Sequence, residues 1–500
     1  MGNMNASVGL LLAACCFSAA LAISVPTEGI HGRIGGSIPD QSSNEVRALP
    51  GYRQQLPSKH YSGYIDVGAK KERHLFYYLV QSEVPSNVLL LWLTGGPGCS
   101  SLDAFTYEHG PLLFSFKQGA DAHGQIPTMS DIELNPNPHS WSKTASVLYI
   151  DSPAGTGFSY ADKPSGYVTN DTMSIDDLEA FVAKFFQQYP QLRQLQLYTA
   201  GESYAGVYVP LLTQRLLQHN QRLHSSGSSS SSSRPYNLAG YIVGNAVTDD
   251  AVDYRGQVDY AYNLGLVDPG TYKQTLAICE DHNWKTDQGT PCGNAMDMLE
   301  AAMGAVNQYD ITAPCFQPAA AAARRASSSS SSSSSGMLRH TISCADRRHA
   351  LIYYNSAAVR AAIHAGSLEQ AGRWEPCSDV LHYTHTAGSM IPVHRELVAA
   401  GLRALVYSGT ADYVVPFTGS RAWVYGLGLK EAKPWGAWSM PGSQQVSGHT
   451  VQFKQQQQQQ QQRGGGGLTF ATVLGGGHMV PQTHPQQALA LLQLWLTQQL

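Results

Sequence analysis

The 500-residue sequence predicts an α/β fold: a mixed, mostly parallel sheet with helices on both faces and one inserted cap. Three observations carry this expectation. Short apolar runs recur along the chain at Val88–Leu93, Ser146–Ile150, Leu195–Thr199, Gly240–Val243, Ala404–Tyr407 and Leu468–Val473. Near-continuous apolar strands suit a sheet covered on both faces. Helical patterns lie between several of them: Leu178, Phe181, Val182 and Phe185 fall at helix spacing with Pro190 beyond, and Val207–Leu217 and Gln487–Leu500 are further candidates. Alternation of this kind is the pattern of an α/β fold. Residues 251–348 read differently. They hold Cys279, Cys292, Cys315 and Cys344, a serine tract and no buried-strand pattern, and are expected to be the cap between core segments 45–250 and 349–500.

Composition narrows the function classes. Charged residues make up 14% of the chain and the net charge is −4. A usual domain holds about 25% charged residues. No long basic stripe is present, so no nucleic-acid partner is expected. Ser225–Ser233, Ser327–Ser335 and the glutamine tract 455–462, which runs into Gly464–Gly467, are expected to be surface insertions because they have no apolar surface to bury.

The chain opens with the pattern of a signal peptide over residues 1–22, followed by a variable segment 23–44. Val8–Ile23 lacks charge and Ala20-Leu21-Ala22 is a small-x-small cleavage pattern. The apolar stretch is short for a membrane span, so no membrane association is expected after its removal. Six cysteines remain beyond Cys15 and Cys16. An even number after a signal peptide points to disulfides and a secretory route, with pairing left open by spacing alone. No metal-ligand spacing and no cofactor motif is found. Asn170-Asp171-Thr172 is a glycosylation sequon.

Gly201-Glu202-Ser203-Tyr204-Ala205-Gly206 joins an apolar run to a helical pattern. That is the setting of a nucleophile elbow, a tight strand-to-helix turn that presents a serine hydroxyl above an α/β-hydrolase sheet. The nucleophile needs a base, and the base an orienting acid. Asp412 follows the run Ala404–Tyr407 and His478 follows Leu468–Val473 through a glycine turn. The order Ser203, Asp412, His478 is that of α/β hydrolases. Thr94-Gly95-Gly96-Pro97-Gly98 follows the Val88–Leu93 run and can aim a backbone N–H at a developing oxyanion, with the Tyr204 N–H as second donor.

Longer motifs then make the chain similar to the serine carboxypeptidase family: LWLTGGPGCSS at 91–101, YEHGP at 107–111, NPHSW at 137–141, DSPAGTGFSYA at 151–161, GESYAG at 201–206, YSGTADYVVP at 407–416 and GGGHMVPQ at 475–482. ALPGY at 48–52, LPSKHYSGY at 56–64 and GNAVTDD at 244–250 resemble plant type I members. The resemblance implies an acid serine-type carboxypeptidase acting on peptide and protein C-termini, extracellular or in the vacuole or lysosome, and often dimeric. It implies Gly96 and Tyr204 as oxyanion donors, and Thr94, Gly95, Glu108 and Glu202 as the site for the terminal carboxylate. It also implies disulfides Cys99–Cys377, Cys279–Cys292 and Cys315–Cys344, the last closing a loop with Arg324-Arg325 that relatives often have cut. Two carboxyls sharing a site cannot both ionise cheaply, so one of Glu108 and Glu202 is expected to hold a proton.

Two positions depart from the family pattern. Thr94 stands where the family usually has Asn, and Ser or Thr there also resembles the acyltransferase branch that uses glucose esters. Thr410 stands where the family often has an acid. Acyl transfer is therefore the alternative activity, and a non-catalytic binding or protective subunit the third.

Overall fold

The computed structural model describes residues 43–120, 127–226, 234–315, 344–454 and 466–500. The expected signal peptide, segment 23–42, Arg324-Arg325, the second serine tract and the glutamine tract lie outside these residues, as do 227–233 of the first serine tract.

The six apolar runs all become strands, and the six strands are neighbours. A 12-stranded sheet has the spatial order Glu45–Val46, His60–Val67, Arg73–Val80, Ser146–Ile150, Val88–Leu93, Gln196–Glu202, Leu238–Gly244, Arg403–Gly409, Gly467–Val473, Val446–Lys454 and Lys430–Ser439, with Tyr160–Ala161 beside Arg73–Val80. From Ser146–Ile150 to Gly467–Val473 every pairing is parallel. The strands on both flanks are antiparallel. This is the α/β-hydrolase architecture, with a mixed sheet whose centre is parallel.

The two flanking strands at the C-terminal side of the sheet went unread in the sequence for a physical reason. Val446–Lys454 alternates small, polar and apolar residues, and most of Lys430–Ser439 is exposed. Edge strands carry no continuous apolar run because they are not covered on both faces. Strand Gln196–Glu202 also runs three residues beyond the expected Thr199, because Leu93 and Gly244 of its two neighbours still pair with Gly201 and Glu202.

Helices cover the sheet. Asp171–Gln188 buries Leu178, Phe181, Val182 and Phe185, as their spacing predicts; Asn170 caps it by accepting from the Met173 N–H at 2.9 Å, and the chain turns off before Pro190. The helix expected at 207–217 spans Ala205–Ser226, and the last one spans Pro485–Leu496. The described part of 251–348 holds the helices Asp250–Asn263, Pro269–Asp281 and Pro291–Met303 joined by turns and loops. These helices share an apolar cluster of Val258, Tyr260, Cys279, Cys292, Leu299 and Tyr413.

Backbone crowding between Ala205–Ser226 and the sheet fixes the central turn. A Cβ on Gly206 would overlap the Val247 carbonyl oxygen and lie 2.8 Å from Ala246 Cβ and Val247 N, so Ala at 206 forces main chain apart. Gly206→Ala is expected to destabilise the fold by about 2 kcal/mol. Gly426→Ala, at a helix end with open space around it, is expected to be neutral or stabilising by about 0.5 kcal/mol. Urea unfolding of both variants checks this; equal midpoints would contradict it.

Candidate active site

Five neighbouring parallel strands end at one edge of the sheet, and each delivers a piece of the site just past its last residue. Val88–Leu93 leads into Thr94-Gly95-Gly96, Gln196–Glu202 into Ser203-Tyr204, and Leu238–Gly244 into Asn245. Arg403–Gly409 leads into Asp412 and Gly467–Val473 into His478. Sites at the carboxyl ends of parallel strands are the general rule for open α/β sheets.

Ser203 occupies the elbow with φ of 61°, a left-handed conformation that non-glycine residues avoid. Three backbone bonds hold it there: Ser203 N–H to the Gly244 carbonyl at 3.0 Å, and the Gly206 and Val247 N–H groups to the Ser203 carbonyl at 2.9 and 3.0 Å. The oxyanion-side loop lies against this turn. A Cβ on Gly95 would sit 2.5 Å from Tyr204 N and 2.7 Å from Ser203 Cβ, so only glycine lets the two backbones approach. Gly96 has φ of 114°. Among the described residues neither the Gly96 nor the Tyr204 N–H donates to a protein acceptor, which leaves both amides free for an oxyanion.

The loop is pinned from behind. Asp151 Oδ1 accepts from Ser100 Oγ at 2.7 Å and Ser101 N–H at 2.9 Å. The disulfide Cys99–Cys377 is flanked by Ser100 N–H to the Pro376 carbonyl at 2.8 Å and Ser378 N–H to the Gly98 carbonyl at 2.9 Å. The structure also joins Cys279 to Cys292 and Cys315 to Cys344. Three disulfides fit an oxidising secretory compartment, and among the described residues no helix is long and apolar enough to cross a membrane.

His478 and Asp412 are both buried and meet at 2.8 Å, Nδ1 to Oδ2. Asp412 also accepts from the Val414 N–H at 2.8 Å, the Val415 N–H at 3.1 Å and Asn245 Nδ2 at 2.7 Å. With a carboxylate on Nδ1, the proton sits on that nitrogen and Nε2 keeps its lone pair. Among the described residues Nε2 has no partner, and a Ser203 Oγ–His478 hydrogen bond is not formed. Such bonds often tighten only in the substrate complex. Thr410, where an acid was expected, accepts the Gly475 N–H at 2.9 Å and so fixes the glycine turn that leads to His478.

Glu108 caps the helix Ser101–Tyr107 at its C-terminus, and Glu202 immediately precedes Ser203. Each is 3% exposed. Burial, then nearby carboxylates, raise both carboxyls above the usual range. Among the described residues no other donor reaches the Glu108 oxygens or Glu202 Oε2. A hydrogen bond between the two carboxyls requires a proton on one of them. Thr94 is buried beside the same loop, its hydroxyl accepting from Trp92 Nε1 at 3.0 Å, which leaves its proton to donate.

The structure adds residues that motif reading passed over. Asn245 sits inside the quoted GNAVTDD stretch, yet nothing local marks its hold on Asp412. Asp103 and Arg347 form a buried ion pair at 3.0 Å, and the Arg347 guanidinium lies 4.3 Å from the Tyr107 ring. Their 244-residue separation (347 minus 103) hid the pairing. Tyr309 packs edge-on against His478 at 5.0 Å, and its carbonyl accepts the His478 N–H at 2.7 Å.

Comparison with known proteins agrees with this architecture. The family model for serine carboxypeptidases matches residues 50–498. The chain is 36% identical to serine carboxypeptidase 1 of Hordeum vulgare, covering 90% of this chain and 92% of that one. It is 35% identical to serine carboxypeptidase-like 20 of Arabidopsis thaliana, covering 89% and 91%. The structure resembles that of Kex1(delta)p, a prohormone-processing carboxypeptidase from Saccharomyces cerevisiae, with a TM-score of 0.70, 19% identity and coverage of 92% and 97%. At that identity the likeness speaks for the fold.

Asn245→Leu removes one donor from Asp412 and leaves the buried Gly409 N–H, which donates to Asn245 Oδ1 at 3.1 Å, without its acceptor. It is expected to lower kcat about ten-fold with KM nearly unchanged, because His478 loses its fixed orientation. Steady-state kinetics on any turned-over ester or peptide checks this; a change confined to KM would contradict it.

Proposed function

The chain belongs to the serine carboxypeptidase family, and from that premise we propose that it is a serine-type carboxypeptidase releasing C-terminal residues at acidic pH. The observation that carries this reading is the buried Glu108–Glu202 pair beside Ser203. A protonated carboxyl there donates a hydrogen bond to the terminal carboxylate of a peptide, with the Thr94 hydroxyl and the Gly95 N–H as further donors. Such a site recognises a free C-terminus and rejects the chain interior.

The chemistry follows from the geometry. Ser203 Oγ adds to the scissile carbonyl carbon while its proton passes to His478 Nε2. The oxygen that becomes negative accepts from the Gly96 and Tyr204 N–H groups. The C–N bond then breaks, and His478 gives its proton to the leaving amine, the released C-terminal residue. Water repeats the sequence on the ester and frees Ser203. Asp412 holds His478 in the needed tautomer throughout.

Residues 251–348 fit a cap that sets side-chain preference, and Asn170 a glycan site, since its hydrogen bond to Met173 uses Oδ1 and not the amide nitrogen. A secreted or vacuolar location follows from the signal pattern and the disulfides. A two-chain form cut within 316–343, and a homodimer, are carried over from the resemblance. The second reading, acyl transfer from glucose esters, rests on Thr94, whose hydroxyl has shorter reach than the usual amide.

Both glutamates have carboxyls raised in the folded state. As pH rises the shared proton is lost, and the doubly ionised pair repels the substrate carboxylate. KM for peptides is therefore expected to rise from about pH 5 to about pH 8, and Glu202→Gln to flatten that rise. A C-terminal release assay over this range checks it; parallel profiles for the two enzymes would refute the role of the pair. The same linkage acts on stability. A raised carboxyl contributes its stability below its unfolded pKa and loses it as pH climbs through the folded one, so Glu202→Gln should gain stability relative to wild type across the same window. Ser203→Ala should abolish release with the fold intact, and residual turnover equal to wild type would remove the acyl-enzyme.

A further inference from the structure

The proposed oxyanion donor on the Ser203 side is the Tyr204 backbone N–H, so its position depends on whatever holds Tyr204. The side chain is held tightly. Its hydroxyl donates to Asp171 Oδ1 at 2.6 Å and meets His385 Nδ1 at 2.7 Å. With the hydroxyl proton given to Asp171, His385 supplies the N–H of the second bond. The tyrosine is thus fixed at both ends, by Gly95 against its backbone nitrogen and by Asp171 and His385 at its hydroxyl.

Asp171 is built as an anchor. It is 1% exposed. Tyr383 donates to the same Oδ1 at 2.8 Å. Oδ2 accepts from the Thr386 N–H at 2.5 Å, the Ala387 N–H at 2.8 Å and Thr386 Oγ1 at 3.3 Å. Burial alone would raise this carboxyl, but the bonds from Tyr204, Thr386, Ala387 and Tyr383 hold it below its usual range. It also opens the helix Asp171–Gln188, where the dipole favours a negative charge. An anion so placed gathers two distant parts of the chain, the elbow at 203–204 and the segment 383–387.

We infer that Asp171 is a positioning residue for acyl transfer: through the Tyr204 hydroxyl it fixes the Tyr204 amide in the oxyanion hole, and through Thr386 and Ala387 it fixes the wall beside it. This rests on the reading of Ser203 as nucleophile. A plain structural brace is the competing explanation. It would lower stability without singling out the step in which the oxyanion forms.

Two variants separate these. Asp171→Asn keeps the shape but turns one acceptor oxygen into an NH2 that faces existing donors. Tyr204→Phe deletes only the hydroxyl and keeps the backbone N–H. The full-length secreted protein is assayed with a p-nitrophenyl ester and with a peptide aldehyde. In the aldehyde adduct Ser203 Oγ bonds to the carbonyl carbon, the serine proton passes to His478, and the new oxyanion lies on the two amides. Each single variant is expected to lose on the order of ten-fold in kcat and in aldehyde affinity, with KM within about two-fold. The double variant should be no worse than the more damaged single.

Unchanged kcat, additive losses in the double variant, or equal loss of affinity for a non-reactive peptide carboxylate would overturn the inference. If Asp171→Asn does not fold, Tyr204→Phe decides alone: the kcat loss supports the inference and wild-type kcat overturns it. A wild type that hydrolyses the ester and binds the aldehyde, yet releases no C-terminal residues, refutes the carboxypeptidase reading and leaves this one standing. A wild type inert to both overturns both.

Discussion

One backbone conformation organises the site: the left-handed turn at Ser203, with φ of 61°. For an L-residue it costs roughly 1–2 kcal/mol, and it persists because the surrounding backbone permits no other path. Gly244, Gly206 and Val247 bond to Ser203 on both sides, and Gly95, Gly201 and Gly206 remove the side chains that would block the approach. Three consecutive residues inherit their directions from this turn. Glu202 is sent toward Glu108, Ser203 stands half-buried at the mouth, and Tyr204 is sent toward Asp171. Shifting the turn would displace the proposed carboxylate site, nucleophile and oxyanion donor together.

The second constraint is charge. Asp103, Glu108 and Glu202 are all buried, and an unpaired buried carboxylate is costly. Two solutions are used side by side. Asp103 is matched by Arg347, itself steadied by the Tyr107 ring and by Gln482 Oε1 at 3.2 Å from both terminal nitrogens. Among the described residues no cation forms an ion pair with the glutamates, and their burial favours the protonated form. Asp103 raises both of their carboxyls and Arg347 lowers both, so the ion pair partly cancels its own effect on them. Buried aromatic walls do the rest: His109 stacks on Trp141 at 4.2 Å and is held neutral, its pKa lowered to about 3 by burial. The environment that makes the pair ready to hold a proton is thus mostly apolar surface, not opposing charge.

This division explains what was legible beforehand. The six central strands could be read because a strand buried on both faces must be apolar throughout. The edge strand Lys430–Ser439 could not, since most of it is exposed. The placement of Ser203, Asp412 and His478 past strand ends was readable because strand, turn and residue type coincide locally there. Asn245, Arg347 and Asp171 act through partners 167, 244 and 33 residues away, and no local pattern encodes such a pairing. Thr410 illustrates the limit from the other side. Its departure from the expected acid was visible, but its use, accepting the Gly475 amide, exists only once two loops meet.

The same long-range stitching bears on the stretch between Cys315 and Cys344. On its N-terminal side the chain is bound to the catalytic loops: Tyr309 accepts the His478 N–H at 2.7 Å, Ile311 donates to the Ala411 carbonyl at 2.9 Å, and the Tyr413 N–H bonds to Gln308 at 2.9 Å. On its C-terminal side Arg347 is bound to Asp103 and to Gln482, four residues after His478. The disulfide joins the two sides at residues 315 and 344. Among the described residues, these contacts with the loops that carry Asp412 and His478 come from residues on either side of the disulfide. A chain cut within that stretch would stay covalently joined through Cys315–Cys344. The described anchors thus stand at both borders of the stretch, where Cys315 and Cys344 tie them covalently together.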